Sequence, residues 1–254
     1  MILGIQRTGT TLIRTAINSH PRVLCLGEMF NPDSRNARNI QKNGIQKMLS
    51  EDEMRYSRYL SKGLGRRISD MFVRNRVVAN YLDWLYAQEG YSAVGFKFMY
   101  SHLKKYPSVA TYIKNKNIHV IHVVRKNVLR TFLSYVTKEA RKVAHSELQV
   151  EQVRVELPTD TLIAKLDQLS NDSNAWKKLF EASAPYLEVG YENFVNDRSN
   201  ESSRIMKFLG LDENFELESR LVKLNTASLH EIITNYADIQ ECLKGTAYEV
   251  CLHE

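Results

Sequence analysis

The chain has 254 residues, 43% hydrophobic and 25% charged, a balance that excludes a disordered tail and a collagen-like fibre. No stretch approaches the roughly 18 consecutive apolar residues of a membrane-spanning helix. Three cysteines without a CxxC pair argue against a disulfide framework or a zinc site. The net charge of +6 is unevenly spread. Residues 1–149 carry 25 Lys and Arg against 10 Asp and Glu, whereas residues 150–254 carry 10 against 19. The basic first part points to an anionic ligand.

Met1 to Ile5 is a short apolar run, followed by a Gly-containing turn and an amphipathic stretch from Thr11 to Asn18: strand, loop, helix. The opening run is too short for a secretory signal, so the expected location is the cytoplasm. Residues 23–26 and 93–98 read as further strands, and 118–124, rich in β-branched residues, as another. Leu187 to Gly190 reads as the last strand. Helical patterns occupy 77–89, 127–144, 160–182, 199–209 (closed by Gly210) and 228–243. This alternation predicts a three-layer α/β/α fold with a mostly parallel central sheet, P-loop-NTPase-like. The expectation is a single domain over 1–254, its helical C-terminal third packed on the same core. Residues 33–76 interrupt the rhythm with eleven Lys and Arg and little apolar periodicity. They read as a basic, mainly helical insertion, either reaching over the site or merely solvated.

The first turn reads Gly4-Ile5-Gln6-Arg7-Thr8-Gly9-Thr10-Thr11. It fits the phosphate-loop pattern G-x-x-x-x-G-K-[ST] except that Thr10 stands at the lysine position. Glycines let backbone N–H groups approach an anion, and the following helix directs its positive end there. The missing lysine is the one that reaches the β- and γ-phosphates of a nucleoside triphosphate. Here the cation, Arg7, lies inside the loop, which suits an anionic donor other than ATP or GTP. The plainer alternative is a Gly-Thr turn with a good helix cap. A second candidate follows strand 118–124. Arg125 stands at its carboxyl end, the edge where open α/β sheets bind ligands, with Ser134 nine residues on. Together they are expected to bracket a second phosphate; the plainer alternative for an Arg after a strand is an ordinary surface cation.

These segments carry a family resemblance. Gln6-Arg7-Thr8-Gly9-Thr10-Thr11, with Asn18-Ser19-His20-Pro21 and Gly27-Glu28, resembles the donor loop of sulfotransferases that use 3′-phosphoadenosine-5′-phosphosulfate (PAPS). Val123-Val124-Arg125 with Ser134-Tyr135 resembles their 3′-phosphate segment, Tyr191-Glu192-Asn193-Phe194 a later motif, and Phe208-Leu209-Gly210-Leu211 the helix end that follows. The tail from Ser228 to Tyr248 is similar to bacterial-type members. The departures are the 33–76 insertion and Arg7, where many cytosolic members have Lys. The resemblance implies PAPS as donor, adenosine 3′,5′-bisphosphate as product, and no metal in the chemistry. It implies that the backbone of Thr8, Gly9, Thr10 and Thr11 holds the 5′-phosphosulfate, with Arg7 on its bridging and sulfonyl oxygens. Arg125 and Ser134 would take the 3′-phosphate and Tyr191 the adenine.

Sulfonyl transfer to a hydroxyl or amine needs a base near the acceptor and cations on the leaving oxygens. Arg7 is the first such cation and Lys97 the second. Glu28 and His102 are the candidate bases, because sugar- and lipid-acting members of the resembled family carry Glu in a similar place and the cytosolic branch a His. His20, before Pro21, reads as a turn residue. A carboxylate serves only if burial raises its pKa and no cation quenches it. The plain reading of Glu28 is an ion pair with Arg7 or another loop cation, and of His102 a helix cap or surface residue. His119 and His122 fall on opposite strand faces, which suits core or edge histidines rather than a metal pair. Lys223 and Lys244 read as surface lysines or as extra contacts to the 3′-phosphate. Two other functions compete, a small-molecule kinase with an aberrant phosphate loop and a nucleic-acid binder. Strand 118–124 ends in Arg125 rather than an acidic magnesium ligand, and Tyr56 and Tyr59, which lie among Arg55 and Arg58, make only one turn of a helix rather than a groove of alternating cations and aromatics. The expected partner is a hydroxyl-bearing small molecule, sugar or lipid, with no nucleic acid.

Overall fold

The structure, a computed structural model, describes residues 1–31, 50–143, 153–219 and 227–253. The first part of the chain runs β1 (Ile2–Gly4), α1 (Thr10–Ile17), β2 (Val23–Leu26), α2 (Tyr56–Ser61), α3 (Leu64–Tyr86), β3 (Ala93–Met99), α4 (Tyr100–Lys105), α5 (Ser108–Asn115) and β4 (Val120–Val124). Then follow α6 (Val128–Val143), α7 (Leu162–Glu181), β5 (Tyr186–Gly190), α8 (Tyr191–Asn196), α9 (Arg198–Phe208), α10 (Leu229–Ile232) and α11 (Tyr236–Leu243).

All strand pairs are parallel, in the order β2-β3-β1-β4-β5. Successive strand side chains point to opposite faces, and both faces are covered. Ile2, Val23, Cys25, Ile121, Val123 and Val189 pack with Ile13, Ala16 and Ile17 of α1 and with Ile205 and Met206 of α9. Their neighbours Leu3, Leu24, Leu26, Phe96, Phe98 and Val120 pack with the second half of α3 and with Val109 and Ile113 of α5. Each fully buried Leu, Ile or Phe contributes about 1.5–3 kcal/mol, so this double-sided burial holds the three-layer α/β/α arrangement. β1 sits mid-sheet, with β2 and β3 on one side and β4 and β5 on the other. The loop after it therefore opens where the strand order reverses, the place where such sheets bind ligands.

The chain forms two compact units, Met1–Val124 with Trp176–Leu221, and Arg125–Ala175 with Val222–Glu254. The C-terminal third divides between them. Phe194, Ile205 and Met206 join the sheet core, but Leu229, Ile232, Ile239 and Leu243 build a separate cluster with Leu129, Leu133, Leu162 and Leu166. The helix expected over 228–243 is two helices. Val155 bonds to the chain on either side of Ile233, its N donating to Ile232 O (2.8 Å) and its O accepting from Thr234 N (2.9 Å), so Ile233 is extended. α3 begins well before residue 77, at Leu64, and is interrupted at Val73. α4 and α5 were not expected. Part of the 33–76 insertion, residues 33–49, lies outside the described residues. No helix among the described residues is long and apolar enough to cross a membrane.

His122 is a core histidine. Tyr100 OH bonds its Nε2 and Tyr186 OH its Nδ1 (2.6 Å). Beyond Tyr186 lie Glu188 and its partner Lys177 (2.9 Å). Burial lowers the His122 pKa to about 4, against the opposing pull of Glu188. The unfolded chain therefore binds the extra proton first, so the stabilisation is full above pH 6.5 and falls as pH drops towards 4. Each pH unit in that window removes up to about 1.4 kcal/mol, about 3 kcal/mol in all. Urea melts at pH 7 and pH 4.5 should show the loss, and His122→Gln should flatten it.

Candidate active site

Three sheet ends meet in the first unit. β1 ends at Gly4, where there is no room for a side chain. A Cβ there would lie 2.6 Å from Thr10 Cγ2 and 3.0 Å from Val123 O. The chain then reverses through two left-handed residues, Arg7 (φ 71°) and Gly9 (φ 89°). Thr8 is buried and its hydroxyl donates to Ile5 O (2.8 Å), so this side chain closes the loop on itself. Gly9 is the N-cap of α1. Glycine has no side chain to cap the helix, and the first turn has no acidic residue. The positive helix end is thus suited to an anion. Arg7 and Thr11 are exposed on this loop, and Thr10 is buried beneath it.

Tyr191 is the first residue of α8 and lies against the loop. A Cβ on Gly9 would meet its Cδ2 at 2.3 Å. Gly9→Ala therefore combines left-handed strain of about 1–2 kcal/mol with displacement of that ring. The expected result is a lower melting temperature, by roughly 2–4 °C per kcal/mol, and at least tenfold weaker binding of adenosine 3′,5′-bisphosphate by calorimetry.

Beside the loop stands a charged cluster. Lys97, near the end of β3, donates from Nζ to Thr11 Oγ1 (3.1 Å) and pairs with Glu28 Oε1 (2.9 Å). The other Glu28 oxygen accepts from Asn31 Nδ2 (3.3 Å) and faces His102 Nε2 at 3.8 Å. All three side chains are nearly enclosed, Lys97 and His102 12% and Glu28 18% exposed. His102 Nδ1 accepts from Met99 N (3.3 Å), so in the neutral ring the proton sits on Nε2, towards Glu28. Burial, the largest influence, pulls the His102 pKa down, and Lys97 and Lys105 add to this against the opposing charge of Glu28. For Glu28, burial is again the largest influence and pushes the pKa up. The charge and hydrogen bond of Lys97, helped by His102 and Asn31, outweigh it, and the net direction is down. The condition that burial raise this carboxyl with no cation to quench it is thus not met in the free protein: the ammonium beside it wins. The ion pair anticipated with Arg7 or another loop cation is made with Lys97 from the neighbouring strand.

The support beneath Glu28 was not read from the sequence. Glu51 is buried and accepts from Gly27 N through Oε1 (2.6 Å), while its Oε2 lies 3.5 Å from Arg14 Nη1. Arg55, also buried, donates to Asn31 O (2.9 Å) and pairs with Asp52 (3.1 Å). Met29 and Phe30 are buried, and Phe30 packs on Tyr56, Tyr81, Phe96 and Phe98. Part of the basic insertion is therefore buried scaffold around Glu28 rather than solvated chain. The one sequence signal was the acidic run Glu51-Asp52-Glu53 amid the cations.

Arg125, the residue after β4, and Ser134, on α6, belong to the second unit and are partly buried. His20 lies in the turn after α1, its ring edge-on to Phe215 at 4.5 Å. His119 precedes β4 and packs on Phe208 (4.9 Å). Lys244 is exposed and pairs with Glu241 (3.3 Å), and Lys223 lies outside the described residues. Among the described residues no three His, Cys, Asp or Glu side chains are grouped to hold a metal ion.

The family model described as "Sulfotransferase family" matches residues 1–216, which include the loop and the charged cluster. A solved structure similar to this chain, a sulfotransferase from Alicyclobacillus acidocaldarius, shares 14% identity over 87% of this chain and 85% of that one, with a TM-score of 0.47. No curated protein matches the sequence significantly. With the family model covering most of its length, the chain belongs to the sulfotransferase family.

Proposed function

We propose that the chain transfers a sulfonyl group from PAPS to a hydroxyl (or amine) of a sugar, lipid or other small metabolite. One observation carries this reading. An anion loop with Thr10 at the lysine position adjoins the pair Glu28–Lys97, whose ammonium also reaches the loop at Thr11. A kinase loop needs its own lysine. Here the second cation comes from the neighbouring strand and arrives with a carboxylate attached. The uncapped first turn of α1 suits the phosphosulfate end of the donor, with Arg7 alongside. Arg125, Ser134 and Tyr191 are assigned to the 3′-phosphate and adenine end through the family resemblance.

When bound, the donor supplies an activated sulfonyl group, whose bond to the phosphate oxygen breaks as the bond to the acceptor oxygen forms. Glu28 takes the acceptor's proton. Lys97 turns from Glu28 towards negative oxygen at the loop, which restores proton affinity to the carboxylate when it is needed. His102, its Nδ1 engaged by Met99 N, orients Glu28 in this reading rather than competing as the base.

The test is thermal melting with adenosine 3′,5′-bisphosphate, with ATP plus magnesium, and with a short oligonucleotide. At about a hundredfold excess over Kd the bisphosphate should add about 2.7 kcal/mol of stability, and the other two should add none. A shift with ATP and magnesium alone would favour a kinase. A shift with the oligonucleotide alone would make the basic first part a nucleic-acid surface.

A further inference from the structure

Helix α3 has two halves of opposite character. From Val77 onward its apolar residues, Val77, Val78, Tyr81, Leu82 and Leu85, are buried in the sheet core. Before the non-helical Val73 (φ −133°, ψ 43°), Leu64, Ile68, Met71 and Phe72 are 76%, 50%, 78% and 80% exposed. Their i, i+4, i+7, i+8 spacing sets them on one face. A different face holds this half to α2. Asp70 accepts from Tyr56 OH and pairs with Arg74 (3.6 Å), and Arg66 covers the Tyr59 ring at 4.2 Å. Lys62, Arg66, Arg67, Arg74 and Arg76 are all exposed, and Asp70 is the one acidic residue from Lys62 to Arg76.

We propose that this half-helix is a membrane-surface contact. It lies in the headgroup layer of an anionic bilayer, with Leu64, Ile68, Met71 and Phe72 among the acyl chains and the flanking cations on lipid phosphates. Large apolar residues on one face and arginines around it are the two components that interfacial helices combine. Charge selects the occupant. A second copy would bring this cationic frame against its own like, with one already paired carboxylate per chain to compensate. A lipid surface presents negative charge and apolar depth together. The proposal is independent of the donor reading.

The experiment is flotation of the full chain with vesicles of phosphatidylcholine alone, and with about one-third phosphatidylglycerol added. Binding is expected to the anionic vesicles only and to weaken with added salt. Met71→Ser with Phe72→Ser should reduce it about tenfold or more, without lowering the melting temperature, because both side chains are exposed. Arg67→Glu with Arg76→Glu, which touches no apolar residue, should abolish it through charge. Failure of the wild-type chain to bind anionic vesicles overturns the proposal, as does equal binding to neutral ones or binding that either double variant leaves intact. Self-association that Met71→Ser with Phe72→Ser removes, in a chain that ignores vesicles, assigns the face to a second copy instead.

Discussion

Glu28→Gln is expected to lower kcat by two orders of magnitude or more, while adenosine 3′,5′-bisphosphate binds no more weakly than to the wild type. General-base catalysis contributes about 10²–10⁴-fold, and the amide keeps the shape of the carboxylate but cannot take a proton. The substitution leaves Lys97 beside Thr11 with its charge intact. The anion loop therefore loses nothing, and the ammonium is relieved of its competing partner. The signature is the split between catalysis and product affinity, measured by steady-state kinetics and calorimetry. Glu28→Asp, which retains a carboxylate about 1.5 Å short of its place, should recover part of the rate. A Glu28→Gln enzyme with normal turnover removes Glu28 as base and leaves it as the counter-ion of Lys97.

The sheet was legible because its signals are local. In β2, Val23 and Cys25 meet one helical layer while Leu24 and Leu26 meet the other, and a short run of apolar residues records that double burial. The strand expected over 118–124 shortens to Val120–Val124. The loop Gly4–Thr11 was legible for the same reason, since glycine and threonine spacing encodes the turn within eight residues. The scaffold of Glu28 was not legible. Glu51 reaches Gly27 across 24 residues and Arg55 reaches Asn31 across the same interval. In sequence, a buried arginine looks the same as its solvated neighbours Arg58 and Arg66. The first half of α3 was legible only as part of a basic, mainly helical insertion, because its apolar face is open to water. The partner of Glu28 was also hidden. Lys97 is four residues into a strand paired with β1 in the register Ile2↔Lys97, and only that pairing brings its ammonium to Thr11.

That pairing makes Lys97→Met the second decisive substitution, with two expected effects. The first is on rate. Removing a preorganised cation from where negative charge develops costs about 10²–10³-fold in kcat, and the methionine chain keeps much of the packing. The second is on the pH profile of kcat/KM, which reports the free enzyme. In the free enzyme the Lys97 charge and hydrogen bond are what overturn the upward push of burial on Glu28. Without them the upward push of burial is opposed only by His102 and Asn31, and the carboxyl pKa rises from its wild-type position. Because the base must be unprotonated to act, its acid limb moves to higher pH. Lys97→Arg, which keeps a cation at a different reach, should leave that limb near its wild-type position even where kcat falls. Measured together, the two variants separate charge from geometry. If the acid limb of Lys97→Met stays in place, the group titrating in that limb is not Glu28, and the ammonium serves the leaving oxygens alone.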